Sequence, residues 1–164
     1  MAGLTDPSFY AVQKWRPANE QCVVAAAVRR NVPANVLLAI GQHEAGKEGS
    51  AIRNTDGTRD FGRAGINDVS VDEVMPEIAR YGVSRDQVVD ALMHDGCYNY
   101  EMAAYLLSKR LAKCKSDDFW YCAASYHSKT PSKNLRYQGF IKPLAEQWSR
   151  YIKQHYTVRS YSRD

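Results

Sequence analysis

The sequence predicts an α+β fold that is mainly helical and carries one small β-turn or hairpin element. Three observations lead there. Most of the chain repeats apolar residues at spacings of three and four between recognisable caps and stops. Only one stretch, Glu48 to Asn67, is dense in Gly, Asn, Asp, Thr and Arg, with Asp56-Gly57 as a turn signal between short β-capable segments. The 164 residues fit one domain able to hold its own core, and neither an internal repeat nor a low-complexity linker divides them.

The elements follow in order. Residues 1–18 form an N-terminal extension, 19–156 the single domain and 157–164 a polar C-terminal tail, expected to fray. Asn19 caps a helix containing Cys22, Val23, Ala26 and Ala27, and Asn31 and Pro33 end it. A second helix, from about Pro33 to Ala45, aligns Leu37, Ile40 and Glu44 on one face and is expected to stop at Gly46. A carboxylate is thereby placed at the end of a stripe that faces a core or a cleft.

Ser70 with Glu73 and Ser84 with Gln87 read as capping boxes, opening helices around 71–81 and 85–94, with Pro76 shortening or kinking the first. Met102, Ala103, Leu106, Leu107 and Leu111 mark a core-facing helix over 99–113. Ser116 introduces a further helix ending near Tyr126, the segment SKTPSKN reads as a loop, and a last helix is expected from about Pro143 to His155.

Composition excludes several classes. No apolar run approaches the roughly 20 residues that span a bilayer, so no integral membrane segment is expected. The net charge of +4 is not gathered into a basic run or an aromatic-interleaved stripe, which argues against nucleic acid. The four histidines form no metal motif, and His43-Glu44 lacks the second histidine of HExxH, so neither metal nor cofactor is expected. The N-terminus shows no signal-peptide architecture, which leaves a cytosolic chain or one whose export signal is absent.

Cys22, Cys97, Cys114 and Cys122 have no zinc spacing; they are disulfides, in one of three pairings, or buried free thiols. The short polar separation of Cys114 and Cys122 favours their pairing, which leaves Cys22 for Cys97.

Three segments, taken in order, carry a family resemblance: NVPANVLLAIGQHEAG, NTDGTRDFGRAGIN and CAASYHSKTPSKNLRY. Together they resemble the lysozyme-like lytic transglycosylases (the SLT domain), closest to the specialised type that accompanies secretion, conjugation or pilus systems. The resemblance covers roughly Cys22 to Tyr137. It implies a lysozyme-like domain whose hairpin element lies beside an active-site cleft, acting on peptidoglycan glycan strands in the bacterial periplasm or cell envelope, without a cofactor. Export to such a compartment supports the bridges Cys22–Cys97 and Cys114–Cys122.

The resemblance assigns Glu44 the general acid and base role in cleaving the MurNAc-GlcNAc β-1,4 bond to a 1,6-anhydro product. Apolar neighbours on its helix should raise its pKa. Tyr126 matches the family's late tyrosine, which positions the glutamate or the sugar, and Gly62, Ile66 and Asn67 match its β-turn motif. Arg63, His127 and Ser128 are further possible substrate contacts, each with a plain surface or capping role as the alternative. Asp60 is the candidate second carboxylate of a hydrolytic, lysozyme-like muramidase, a mechanism that sets paired carboxyl groups about 5–9.5 Å apart.

The chain departs from the family where many relatives place Ser and it has Ala45. Where relatives read GLMQ it has Gly62, Arg63, Ala64 and Gly65, so the sugar-contacting amide is missing at Gly65. These departures motivate the other alternative, a catalytically weak peptidoglycan-binding or assembly module.

Overall fold

The computed structural model describes residues 4–12 and 14–162. Among the described residues eight helices and three short strands follow in order: α1 Pro7–Val12, α2 Glu20–Arg30, α3 Ala34–Glu44, β1 Ala51–Arg53, β2 Arg59–Phe61, β3 Ile66–Asn67, α4 Asp68–Ala79, α5 Arg85–His94, α6 Gly96–Lys113, α7 Phe119–Ala124 and α8 Pro131–His155. The sheet is antiparallel with order β1-β2-β3, pairing Ile52 with Asp60 and Asp60 with Asn67. The expected class, mainly helical α+β with a small sheet, is what the chain adopts.

Helix α3 organises the core. Its sequence is apolar almost all round, so it must be buried, and Val36, Leu37, Ala39 and Ile40 are wholly inaccessible against α2, α6 and α8. Its last turn ends at Ala45, which takes the left-handed conformation at φ 52, one residue before the expected stop. Gly46 is needed for another reason: its N–H donates to the Arg63 carbonyl at 3.1 Å, and a Cβ there would run into the Gly62 carbonyl oxygen. The end of α3 is thus clamped to the β2–β3 turn.

Several boundaries differ from expectation. Helix α4 starts at Asp68, not after Ser70, because Asn67 Oδ1 accepts the Val69 N–H and serves as the cap. Glu73 instead pairs with Arg110 of α6 at 2.7 and 2.8 Å. Helix α6 begins at Gly96, since the buried Asp95 accepts the Tyr98 N–H, while the Ser84–Gln87 box forms as read.

Helix α8 starts at Pro131, so of the segment read as a loop Ser128, Lys129 and Thr130 are non-helical and the last four residues form the first helical turn. A proline is suited to that position, and the one at 143 lies inside the helix opposite an exposed glycine, Gly139, whose carbonyl water can satisfy. The tail is also ordered through residue 161. Tyr161 N–H donates to Asn35 Oδ1 at 2.8 Å, its ring stacks on Phe119, and the Arg159 carbonyl accepts the Ala34 N–H.

The cysteines form the bridges Cys22–Cys97, joining α2 to α6, and Cys114–Cys122, joining the end of α6 to α7. Among the described residues no helix is long and apolar enough to cross a membrane.

Candidate active site

Glu44 is the last residue of α3, and burial of Leu37 and Ile40, two turns and one turn before it, draws its side chain inward. It opens onto a cleft of about 1020 Å³ formed between the sheet and helices α6 to α8. Its Oε1 accepts a 2.9 Å hydrogen bond from the hydroxyl of Tyr137, which is only 2% exposed. Burial raises the Glu44 pKa to about 7; the Tyr137 hydrogen bond pulls the other way, and the negative charge of Asp60 adds to the rise. A carboxyl group raised into this range can give or take a proton near neutral pH.

Tyr137 is held by two imidazoles. His127 stacks parallel on its ring at 4.7 Å, and His43 meets it edge-on at 5.2 Å while stacking on Phe140. His43 thus turns away from the carboxylate, as its position on the helix implies. Burial lowers the pKa of both imidazoles. Burial beside Glu44 pushes the Tyr137 phenol far up, so it remains a proton donor.

The β2–β3 turn closes the other side of Glu44. Gly65 has φ 60, and a Cβ on it would lie 3.1 Å from Glu44 Oε2, so this glycine is pressed against the carboxyl group. The turn is fixed by the wholly buried Asn99 of α6. Its amide donates to the carbonyls of Phe61 and Leu92 and its oxygen accepts the Ala64 N–H, all within 2.9 Å. Tyr126 supplies another tie, donating to the Ala64 carbonyl at 3.3 Å. It lines the cleft and senses the Glu44 charge, but its hydroxyl is engaged by the turn and the bond to Glu44 comes from Tyr137.

Asp60, Ile66, Asn67, His127 and Ser128 line the same cleft as Glu44. Asn67 donates from Nδ2 to Asp60 Oδ1 at 2.8 Å and to Thr58 Oγ1 at 2.9 Å, orienting the second carboxylate. Ser128 spends its hydroxyl on the Thr130 N–H, and its carbonyl accepts from Asn134, so it shapes the start of α8. Gly62, at φ 63, is buried under the turn, where a Cβ would strike the Leu92 carbonyl.

Arg63 does not share this cleft. It lines a second one, of about 460 Å³, and approaches Glu48 at 3.6 Å.

The walls of the main cleft differ in charge. The sheet contributes Asp56 and Asp60, whereas the connections flanking α7 contribute Lys115 and Lys129, with Lys113 and Lys133 at adjoining helix ends. No group of three or more metal-ligating side chains occurs among the described residues.

Two residues central to this geometry escaped the sequence reading, Tyr137 and Asn99. Tyr137 belongs to a buried stripe, Asn134, Tyr137, Gln138, Ile141 and Ala145, at helical spacing, but its polar members disguise the periodicity and Pro143 suggests a later start. Asn99 carries no local signal, because its partners lie on α5 and on the sheet. Comparison of the chain with protein-family models and with curated protein sequences gives no match.

Proposed function

We propose that this chain is a peptidoglycan lytic transglycosylase of lysozyme-like fold. The observation that carries the reading is Glu44: one carboxyl group, largely buried, bonded to Tyr137 and raised to a pKa of about 7, in the wall of a cleft of about 1020 Å³. Protonated Glu44 gives its proton to the glycosidic oxygen between N-acetylmuramic acid and N-acetylglucosamine as the C1–O bond breaks. The resulting carboxylate then takes the proton of the muramoyl 6-hydroxyl, whose oxygen bonds to C1 and closes the 1,6-anhydro ring. No water is consumed, and a single carboxyl group serves both steps.

The resemblance of the three motifs, a helical body with a three-stranded sheet beside the cleft, and two disulfides suited to an oxidising compartment support the same reading. The setting proposed is the periplasm or cell envelope, with local opening of the wall for a secretion, conjugation or pilus assembly. Incubation with purified peptidoglycan and mass analysis of released muropeptides tests it: 1,6-anhydro ends are expected, and binding without release would leave a glycan-binding module.

A hydrolytic muramidase is the second reading, favoured by one observation. Asp60 lines the same cleft, is oriented by Asn67, and its charge is felt by Glu44. Reducing muramic-acid ends among the products would select it.

A further inference from the structure

The second cleft is lined at the α3 terminus by Gly41, Gln42, Ala45 and Gly46 but not by Glu44, and the function above makes no use of it. Three kinds of group meet there. Trp148 of α8 forms one wall, its indole N–H held by Gln42 Oε1 at 2.9 Å, and the hydroxyl of Tyr100 reaches another. Gly41 makes room for that hydroxyl, since a Cβ on it would overlap the Tyr100 ring and its oxygen. Lys47 and Arg63 supply positive charge beside the carboxylate of Glu20: the guanidinium bonds the Tyr100 hydroxyl and pairs with Glu48 at 3.6 Å, and 39% of its side chain still meets solvent.

An aromatic wall with an adjacent amide is the combination that receives the apolar face of a sugar ring together with its hydroxyl and acetamido groups. A guanidinium at the same place adds preference for a carboxylate, which it can engage with two parallel donors.

We propose that this second cleft is an accessory site for a carboxylate-bearing amino-sugar unit, the stem-peptide-bearing part of a glycan strand, recognised through Trp148, Gln42 and Arg63. The choice of ligand rests on the peptidoglycan reading; the choice of cleft does not. Arg63 and Gly65 belong to one turn, the first lining the accessory cleft and the second touching Glu44, so a single turn contributes to both sites. A strand held at the accessory cleft keeps the enzyme on stem-bearing glycan while another segment occupies the catalytic cleft.

The test uses the Glu44→Gln protein, which retains ligand without turnover, and two soluble probes: a disaccharide-tetrapeptide muropeptide and an uncharged N-acetylglucosamine oligomer. Nuclear magnetic resonance follows the Trp148 indole N–H and the Gln42 side-chain amide for the accessory cleft, and the Gly65 amide for the catalytic one. The muropeptide should shift the Trp148 and Gln42 signals. The oligomer should bind there at least tenfold more weakly, and Arg63→Gln should weaken the muropeptide to the oligomer's level. Arg63 and Gln42 are partly or largely exposed, so Arg63→Gln and Gln42→Ala test the site with the fold intact.

Shifts at Gly65 alone would overturn the accessory site and leave the peptidoglycan reading standing. Shifts at Trp148 and Gln42 alone, lost with Arg63→Gln, would uphold the site and count against that reading. Equal response to both probes, or no effect of Arg63→Gln, would overturn the proposal.

Discussion

The hydroxyl of Tyr137 donates to Glu44 Oε1 at 2.9 Å, across 93 residues of sequence, and this bond joins the end of the central helix to the long C-terminal one. A phenol donating to a carboxyl group stabilises its ionised form, while burial of the same group favours the neutral one. Glu44 is poised between the two, and burial is the larger effect.

Tyr137→Phe removes the donor and leaves the ring between its two histidines. The Glu44 pKa should then rise above about 7, because the influence removed is the one that lowers it. In the proposed mechanism the protonated acid acts in the first step, so the alkaline limb of the kcat/KM profile should move to higher pH. Loss of orientation should lower kcat roughly tenfold, about 1.4 kcal/mol in the barrier. A pH–rate series on solubilised glycan strands checks both effects; an unmoved limb would show that Tyr137 does not act on the carboxyl group.

Glu44→Gln should abolish turnover, a loss on the order of 10²–10⁴ or more for a general acid. It should also alter stability in a pH-dependent way. The folded pKa of about 7 lies above the ordinary 4.5, so the folded state keeps a proton that the unfolded chain releases across that interval. Stability from the neutral carboxyl group is complete below the lower value and is lost as pH rises through the higher one. The span corresponds to about 3 kcal/mol. Relative to the parent, the Gln variant should therefore gain roughly that much stability between acid and mildly alkaline pH, measured by denaturant unfolding.

How much of this could be read in advance depended on the range of the interactions. Glu44 was legible because local rules suffice: Leu37, Ile40 and Glu44 share a helical face, and the turn residues after Gly46 end the helix. The hairpin was legible for the same reason, since Asp56-Gly57 specifies its turn, which Asn54 N–H closes on the Thr58 carbonyl. What stayed hidden was set by distant partners. Asn67 was read as part of the β-turn motif and is also the cap of α4; the tail looked polar, yet Asn35 ties it down through Tyr161. Tyr126 was found as a wall of the cleft, whereas Tyr137, which bonds Glu44, was masked by Asn134 and Gln138 on its own stripe.

Gly65→Ala should damage stability and catalysis together. The left-handed backbone at φ 60 costs a residue with a Cβ about 1 kcal/mol relative to glycine. The methyl group would also press on Glu44 Oε2 from 3.1 Å, displacing the carboxyl group from the Tyr137 hydroxyl. A fall in kcat greater than the change in KM is expected, with a lowered unfolding midpoint. Gly57→Ala provides the control: its φ is 86 with open space around it, so it should lose stability and keep its kcat.

The two disulfides should contribute unequally. Cys22–Cys97 closes a sequence separation of 75 and Cys114–Cys122 one of 8, so the chain-entropy relation gives about 4.5 and 2.5 kcal/mol respectively. Paired Cys→Ala replacements measured by urea unfolding should show the larger loss for the first bridge. The second lies nearer the chemistry, because Cys114 lines the main cleft and Cys122 sits in α7, four residues before Tyr126. Its removal should loosen the wall that carries Tyr126 and His127, raising KM for glycan strands more than the removal of Cys22–Cys97 does. A larger KM change for the Cys22–Cys97 pair would contradict this division between a bridge that holds the body together and one that holds the cleft in shape.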